Sequence, residues 1–248
     1  MGEYRNVINE IIDYLKNIFE THLLSIDNLL GQIEVIEWNG LKAVRKSFQK
    51  QIGLLKWLPP SMLYKASYPF VISPQERFNR EVFFFSAGDG ARYRVPRIYE
   101  VVESDLIIIR EFIDGKSLVY NLDTCALIAR ALADVHLKGF ALGDVKPSNF
   151  IIKGEDVYII DAEQAVRKGS PELFGWDLML TLLFASYRYV IDLNGFKAFT
   201  RKFLESYLDA GGQSIWVKSI TSPKNLSIGL LMPLHYLKAV SDIVSIIL

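Results

Sequence analysis

The chain has 248 residues, 28 basic and 28 acidic, and is 50% hydrophobic and 12% aromatic. The even charge excludes a broadly cationic nucleic-acid binder and leaves no strong nucleic-acid signal, and the apolar and aromatic content excludes a mostly disordered chain. Cys125, the single cysteine, can form neither an internal disulfide nor a multi-cysteine zinc site, so a reducing, cytoplasmic setting is expected.

Residues 1–25 carry Glu3, Glu10, Asp13 and Glu20 and do not read as a signal peptide. Ile8, Ile11, Ile12, Leu15, Ile18 and Phe19 stand at helical spacing and predict an amphipathic helix over about 7–24. The run Ile33 to Trp38 is rich in strand formers, and Asn39-Gly40 joins it to a second run, Leu41 to Phe48. Asn-Gly favours the turn that matches strand twist, so a hairpin is predicted. Ser73-Pro74-Gln75-Glu76 predicts a helix start, with Ser73 as cap, Pro74 in the first turn and Glu76 completing a capping box. That helix should reach about Ala87 and stop at Gly88-Asp89-Gly90. Two strands should follow, near Arg97 to Val102 and Leu106 to Phe112.

Beyond Gly115 the pattern becomes helical, first over Cys125 to Lys138 with Gly139 as its stop. Two brief strands, Phe150 to Lys153 and Val157 to Ile160, flank a Gly-Glu-Asp turn, and helices are expected from Glu172 onward. The run Leu178 to Ile191, bracketed by Asp177 and Arg188, is too short to cross a bilayer. Pro233, His235, Lys238 and Asp242 interrupt 226–248, so packed helices are expected there, with a membrane-surface helix as the alternative. The expected fold is α+β and two-lobed. Residues 1–115 form a first lobe of antiparallel sheet and helices, 116–248 form a helical second lobe, and a ligand cleft lies between them.

The chemistry concentrates in Gly143-Asp-Val-Lys-Pro-Ser-Asn149 and Ile159-Ile160-Asp161. Asp144 and Asn149 stand five apart, and a short hairpin brings Asp161 back to them. Two carboxylates and an amide oxygen can hold magnesium and orient a hydroxyl, and Lys146 can neutralise a phosphate, as phosphoryl transfer requires.

Asp144-Val-Lys-Pro-Ser-Asn149 resembles the catalytic-loop pattern D-x-K-P-x-N of the protein-kinase superfamily, and Val135-His-Leu-Lys-Gly139 resembles the helix end that leads into that loop. The resemblance spans roughly residues 30–190. It implies ATP and Mg2+ as cofactors, Asp144 and Lys146 as catalytic residues, and Asn149 and Asp161 as metal ligands. Ala43-Val44-Arg45-Lys46 is similar to the V-A-I-K strand, which makes Lys46 the phosphate-positioning lysine and Lys42 and Arg45 the solvated alternatives. Glu81 is its partner on the following helix. Arg110 to Leu118 looks like a last strand and hinge, so Glu111 and Ile113 are the implied nucleotide-binding positions. Asp177 resembles the buried aspartate that braces the catalytic loop.

Several departures narrow the family. Asn28-Leu-Leu-Gly31 holds one glycine in place of a glycine-rich phosphate loop. Leu142 replaces the histidine of H-R-D, while Gly143 matches the H-G-D form, and Asp161-Ala-Glu163 replaces D-F-G. Sixteen positions separate Asp161 from Asp177, too few for an activation segment. Arg110 places a charge against the adenine pocket. Together these features resemble the compact archaeal-type atypical kinases: RIO, the KEOPS kinase subunit and the lipopolysaccharide (Kdo) kinases. The ending Ser-Ile-Ile-Leu differs from the basic tail of the KEOPS subunit and ranks it behind a general atypical kinase.

Lys146 favours a serine/threonine protein kinase acting on a protein substrate, autophosphorylation included. The short segment after Asp161 favours a small-molecule or sugar kinase of the aminoglycoside or Kdo type, and the glycine-poor loop with Arg110 favours a nucleotide-binding pseudokinase scaffold. Residues 50–72, with Trp57-Leu-Pro-Pro60 and Tyr68-Pro69, form an unusually long link whose aromatics should pack on the upper lobe. A partner surface there, or on the C-terminal helices, is the alternative.

Overall fold

The computed structural model describes residues 32–49 and 52–248. The expected helix over 7–24 and the glycine-poor loop at 28–31 lie outside the described residues. β1 (Ile33–Trp38) and β2 (Leu41–Ser47) form the predicted hairpin. Asn39 (φ +50°) and Gly40 (φ +77°) both take the left-handed conformation that this two-residue turn demands. β3 (Ile98–Val102) and β4 (Ile107–Glu111) complete an antiparallel sheet of order β1-β2-β4-β3. β3 starts one residue later than expected, and its register against β4 slips between Ile98 and Glu100.

The link between β2 and the next predicted helix contains a helix of its own, α1 (Ile52–Leu63), which precedes α2 (Pro74–Ser86). Pro74 opens α2 as predicted, but Ser73 makes no side-chain cap bond and the capping box is not formed. Glu76 points to solvent, and the Ser73 carbonyl instead receives the Arg77 N–H at 3.0 Å.

In the second lobe β5 (Lys116–Ser117), β7 (Phe150–Lys153) and β8 (Asp156–Ile159) form one small sheet, and β6 (Phe140–Ala141) pairs with β9 (Val166–Arg167). The helices are α3 (Cys125–Leu137), α4 (Pro171–Arg188), α5 (Leu193–Asp209), α6 (Ser214–Lys218), α7 (Pro223–Gly229) and α8 (Leu234–Ile247). α4 is buried along most of its length, and Trp176, Leu178, Met179 and Leu182 join Ile128, Leu132 and Val135 of α3 in the main core. The tail packs as helices, with Tyr236, Val240 and Val244 buried. Among the described residues no helix is long and apolar enough to cross a membrane.

The aromatics of the link do not pack on the upper lobe. The rings of Tyr64, Tyr68 and Phe70 lie 5.5, 5.7 and 5.6 Å from that of Trp176 on α4. The Tyr68 hydroxyl lies 3.0 Å from the Ala141 carbonyl and 2.9 Å from that of Gln164. The Trp176 indole is pinned by its donation to the Gly143 carbonyl at 3.1 Å, which leaves it free to carry this aromatic cluster.

Gly143 makes the approach feasible, for it has φ +75° and a Cβ there would run into the Tyr68 ring. Gly143→Ala should therefore cost roughly 2–4 kcal/mol, combining left-handed strain with overpacking. Urea unfolding of the two chains checks this figure.

Candidate active site

Asp177 sets the loop that carries most of the candidate residues. It is fully buried on α4 and accepts the Leu142 N–H at 2.6 Å and the Gly143 N–H at 2.7 Å. His136 Nε2 stands 3.2 Å from the same carboxylate, and His136 Nδ1 lies 2.6 Å from the Tyr207 hydroxyl. A buried carboxylate bonded to two successive amides fixes the backbone just before Asp144.

From there the turn Pro147–Asn149 leads into β7. Asn149 Nδ2 donates to the Asp144 carbonyl at 2.8 Å, which turns its side-chain oxygen away from that bond. The Lys146 ammonium is 3.5 Å from the Asp144 carboxylate. β7 and β8 return the chain so that Ile160 N–H meets the Asn149 carbonyl at 2.9 Å, and Asp161 arrives beside Asn149.

The first lobe meets this loop through Lys46. It lies on β2 with its side chain turned inward, and donates to Glu81 at 2.6 Å and to Asp161 at 3.1 Å. Glu81 reaches it from α2 and also receives the Ala162 N–H at 3.3 Å. Burial opposes the Lys46 charge, but Asp161, Glu81 and Glu163 outweigh it and hold the ammonium above the ordinary lysine range. Burial pushes Glu81 up to about 7 against the pull of Lys46. Burial also opposes ionisation of Asp161, yet Lys46, Lys56 and Lys146 keep its carboxyl far below the usual carboxylate range. Asp161 thus stays anionic, as a ligand for a hard cation must.

Between the lobes lies a cavity of about 260 Å³. Ile33, Val35 and Val44 form one apolar wall, Ile151 and Ile160 another, and Phe112 and Ile113 contribute at one edge. Asn149, Asp161, Ser148 and Arg110 supply its polar lining. Arg110 is buried and donates to the Ile160 carbonyl at 3.0 Å. Its charge faces Glu81 and Asp161, so it lines the cavity while compensating the carboxylates. Two further polar atoms of the lining, Arg110 Nε and Ser148 Oγ, are buried without a protein partner.

Asp144, Lys146, Asn149, Asp161, Lys46 and Glu81 therefore converge, and Ile113 lines the cavity. Glu111 does not line it. Its carboxylate receives the Arg97 N–H at 3.3 Å and lines a separate hollow with Phe85 and Tyr158.

Sequence reading missed a second ionic centre, around the buried carboxylate of Glu163. One oxygen accepts Trp57 Nε1 at 2.6 Å and Lys56 at 3.3 Å, and the other accepts Arg77 at 3.0 Å. Burial would raise its pKa, but Lys56, Lys46 and Arg77 lower it to about 2. The Asp-x-Glu motif drew attention to Asp161 alone. The spacing of Arg77 and Glu81, four apart on one helix, was the available signal that Arg77 shares the inward face.

The architecture is a two-lobed α+β kinase-like fold. No family model matches the chain. It is 27% identical over 151 residues to the KEOPS complex subunit Bud32 of Pyrococcus abyssi, covering 56% of this chain and 66% of that protein. It is 25% identical over 136 residues to the "Probable serine/threonine-protein kinase BUD32 homolog" of Archaeoglobus fulgidus, covering 55% of this chain and 68% of that protein. A "Probable bifunctional tRNA threonylcarbamoyladenosine biosynthesis protein" of Methanothermobacter thermautotrophicus is 28% identical over 107 residues, which are 42% of this chain and 20% of that one. Sequence likeness and architecture thus agree on the atypical protein-kinase-like family, with a two-lobed α+β kinase-like fold. Of the three atypical groups weighed from sequence, these matches fall with the KEOPS subunit.

Proposed function

We propose that the chain is a magnesium-dependent ATP phosphotransferase that passes the γ-phosphate to a protein serine or threonine hydroxyl, its own included. One observation carries this reading: Lys46 bridges Glu81 at 2.6 Å and Asp161 at 3.1 Å at the polar end of an apolar inter-lobe cavity.

The residues fit both ligands. The apolar walls suit a planar base, with Phe112 and Ile113 at its edge, and the unpartnered Ser148 hydroxyl and Arg110 Nε leave polar capacity in the lining. Asp161 and the Asn149 oxygen would hold magnesium, which would supply positive charge against the phosphates. No described group of three His, Cys, Asp or Glu residues forms a metal cage of its own. Magnesium held through one or two protein oxygens plus phosphates does not need one. Lys46, kept in place by Glu81, binds the phosphates, Asp144 accepts the proton of the incoming hydroxyl, and Lys146 offsets charge on the transferring group. We keep the lobe division at 115/116, with residues 64–72 crossing to the second lobe.

The names of the relatives suggest the setting: a KEOPS-type protein assembly serving tRNA threonylcarbamoyladenosine biosynthesis. A small-molecule acceptor is the second reading. It is favoured by residues 64–72, which cover Gly143, and by the ten positions from Asp161 to Pro171 at the start of α4.

The test is transfer of label from γ-labelled ATP to the chain. Wild type should incorporate it, and Asp144→Asn should fall by roughly 10²-fold or more. Equal labelling of the two chains would remove Asp144 from its role. Nucleotide binding without labelling, but with turnover on added small alcohols, would favour the second reading.

A further inference from the structure

Resting on that reading of the cleft, we propose that Lys56, delivered by α1, is a further phosphate-binding residue that exchanges Glu163 for the terminal phosphate of the bound nucleotide. Its position is set by its neighbour. Trp57 is buried, donates to Glu163 at 2.6 Å and stacks on Phe70 at 5.4 Å, which fastens α1 beside the Asp161-Ala-Glu163 turn. Lys56 reaches the same Glu163 oxygen at 3.3 Å, passing 5.0 Å from the Trp57 ring. Glu163 ties it to the polar end of the cleft, where the phosphates belong: the Glu163 N–H donates to Asp161 at 3.3 Å, and its other carboxylate oxygen is 3.8 Å from the Lys46 ammonium.

Three features separate Lys56 from the other cations around Glu163. Its side chain is 19% exposed, whereas those of Lys46 and Arg77 are 3% and 0% exposed. Lys46 is committed to Glu81 and Asp161, and Arg77 spans Glu163 and the Phe48 and Ile72 carbonyls. Glu163 also does not depend on Lys56, because Trp57 holds one of its oxygens and Arg77 the other.

Departure of Lys56 from Glu163 therefore leaves both oxygens of that carboxylate partnered, whereas stranding a buried carboxylate is the main cost of removing an ion-pair partner. A lysine is a compact charge on a flexible four-carbon stem, suited to leaving one anion for another nearby. A triphosphate beside Asp161 brings more negative charge than magnesium and Lys46 together offset, so a further cation at that end is stabilising.

The experiment compares magnesium-dependent binding of ATP, ADP and adenosine to the full chain by calorimetry, for wild type, Lys56→Met and Lys56→Arg, with melting temperatures measured alongside. Lys56→Met should weaken ATP about tenfold or more and ADP less, and leave adenosine unchanged. Lys56→Arg should recover most of the loss, and all three chains should melt within about 2 °C of one another. An unchanged ratio of ATP to adenosine affinity in Lys56→Met would overturn the proposal. So would an equal loss for all three ligands with a lowered melting temperature, which assigns Lys56 a structural role in the Glu163 centre. A wild-type chain that binds neither ATP nor adenosine takes down the reading of the cleft itself, and the proposal with it.

Discussion

Asp161→Asn should keep the fold and lose phosphate transfer by roughly 10³-fold or more. The substitution preserves shape while removing the anion that, with Asn149, is to hold the cation. It should also be nearly neutral for stability. Asp161 is one of three carboxylates around Lys46, and its charge works against ionisation of both Glu81 and Glu163. Removing it relieves that repulsion, while Lys46 keeps its 2.6 Å bond to Glu81. The loss of one Lys46 partner and the relief of repulsion act in opposite directions, so the melting temperature should move by only a few degrees. Labelled-ATP transfer and a thermal melt on the same preparations test both halves. Full transfer by Asp161→Asn would remove Asp161 from the metal site, and a collapse in stability would make its role structural.

Arg77→Met should be the most destabilising single change near the site, costing on the order of 3–5 kcal/mol. Arg77 is fully buried, and its guanidinium satisfies Glu163 at 3.0 Å and the carbonyls of Phe48 and Ile72, each at 3.3 Å. Methionine fills much of the volume but leaves a buried carboxylate short of a cation and two carbonyls without donors. Lys46 and Lys56 still face Glu163 in that variant, which keeps the loss within this range. The mechanism predicts strong non-additivity. Combining Arg77→Met with Glu163→Gln removes the stranded charge, so the double variant should be more stable than the sum of the singles by about 1 kcal/mol or more. Urea unfolding of the four chains measures the coupling, and additive costs would mean that Arg77 acts through packing alone.

Much of this architecture is written in local signals. Asn39-Gly40 favours two left-handed residues and therefore a hairpin, and Pro74 suits the first turn of a helix, so β1, β2 and α2 follow from short-range chemistry. The Asp144, Lys146, Asn149 and Asp161 set is legible because a short hairpin fixes the distance between its two halves. Lys46 and Glu81 required the family resemblance as well, since nothing local says which strand lysine points inward.

The Glu163 centre depends on contacts that sequence spacing does not encode. Trp57 and Glu163 are 106 residues apart, and an indole donor has no periodic signature. Pro59 and Pro60 disguise α1 as a link, although the helix runs through both. Ser73 makes no cap although Ser170 and Ser222, each also followed by a proline, do, and nothing in the structure explains the difference. The aromatics of residues 64–72 read correctly as packing residues. Their side of the molecule was decided by Trp176 and by the space that Gly143 leaves for Tyr68.

The central claim is that the inter-lobe cavity with Lys46 and Asp161 is a nucleotide site. A crystal structure of the chain with magnesium and a non-hydrolysable ATP analogue tests it most directly. The base should lie between Val44 and Ile151 with its edge toward Ile113, the β- and γ-phosphates should be within hydrogen-bond reach of Lys46, and the cation should sit between Asn149 and Asp161. A cavity left empty at saturating analogue, or an analogue whose phosphates point away from Lys46 and Asp161, would contradict it.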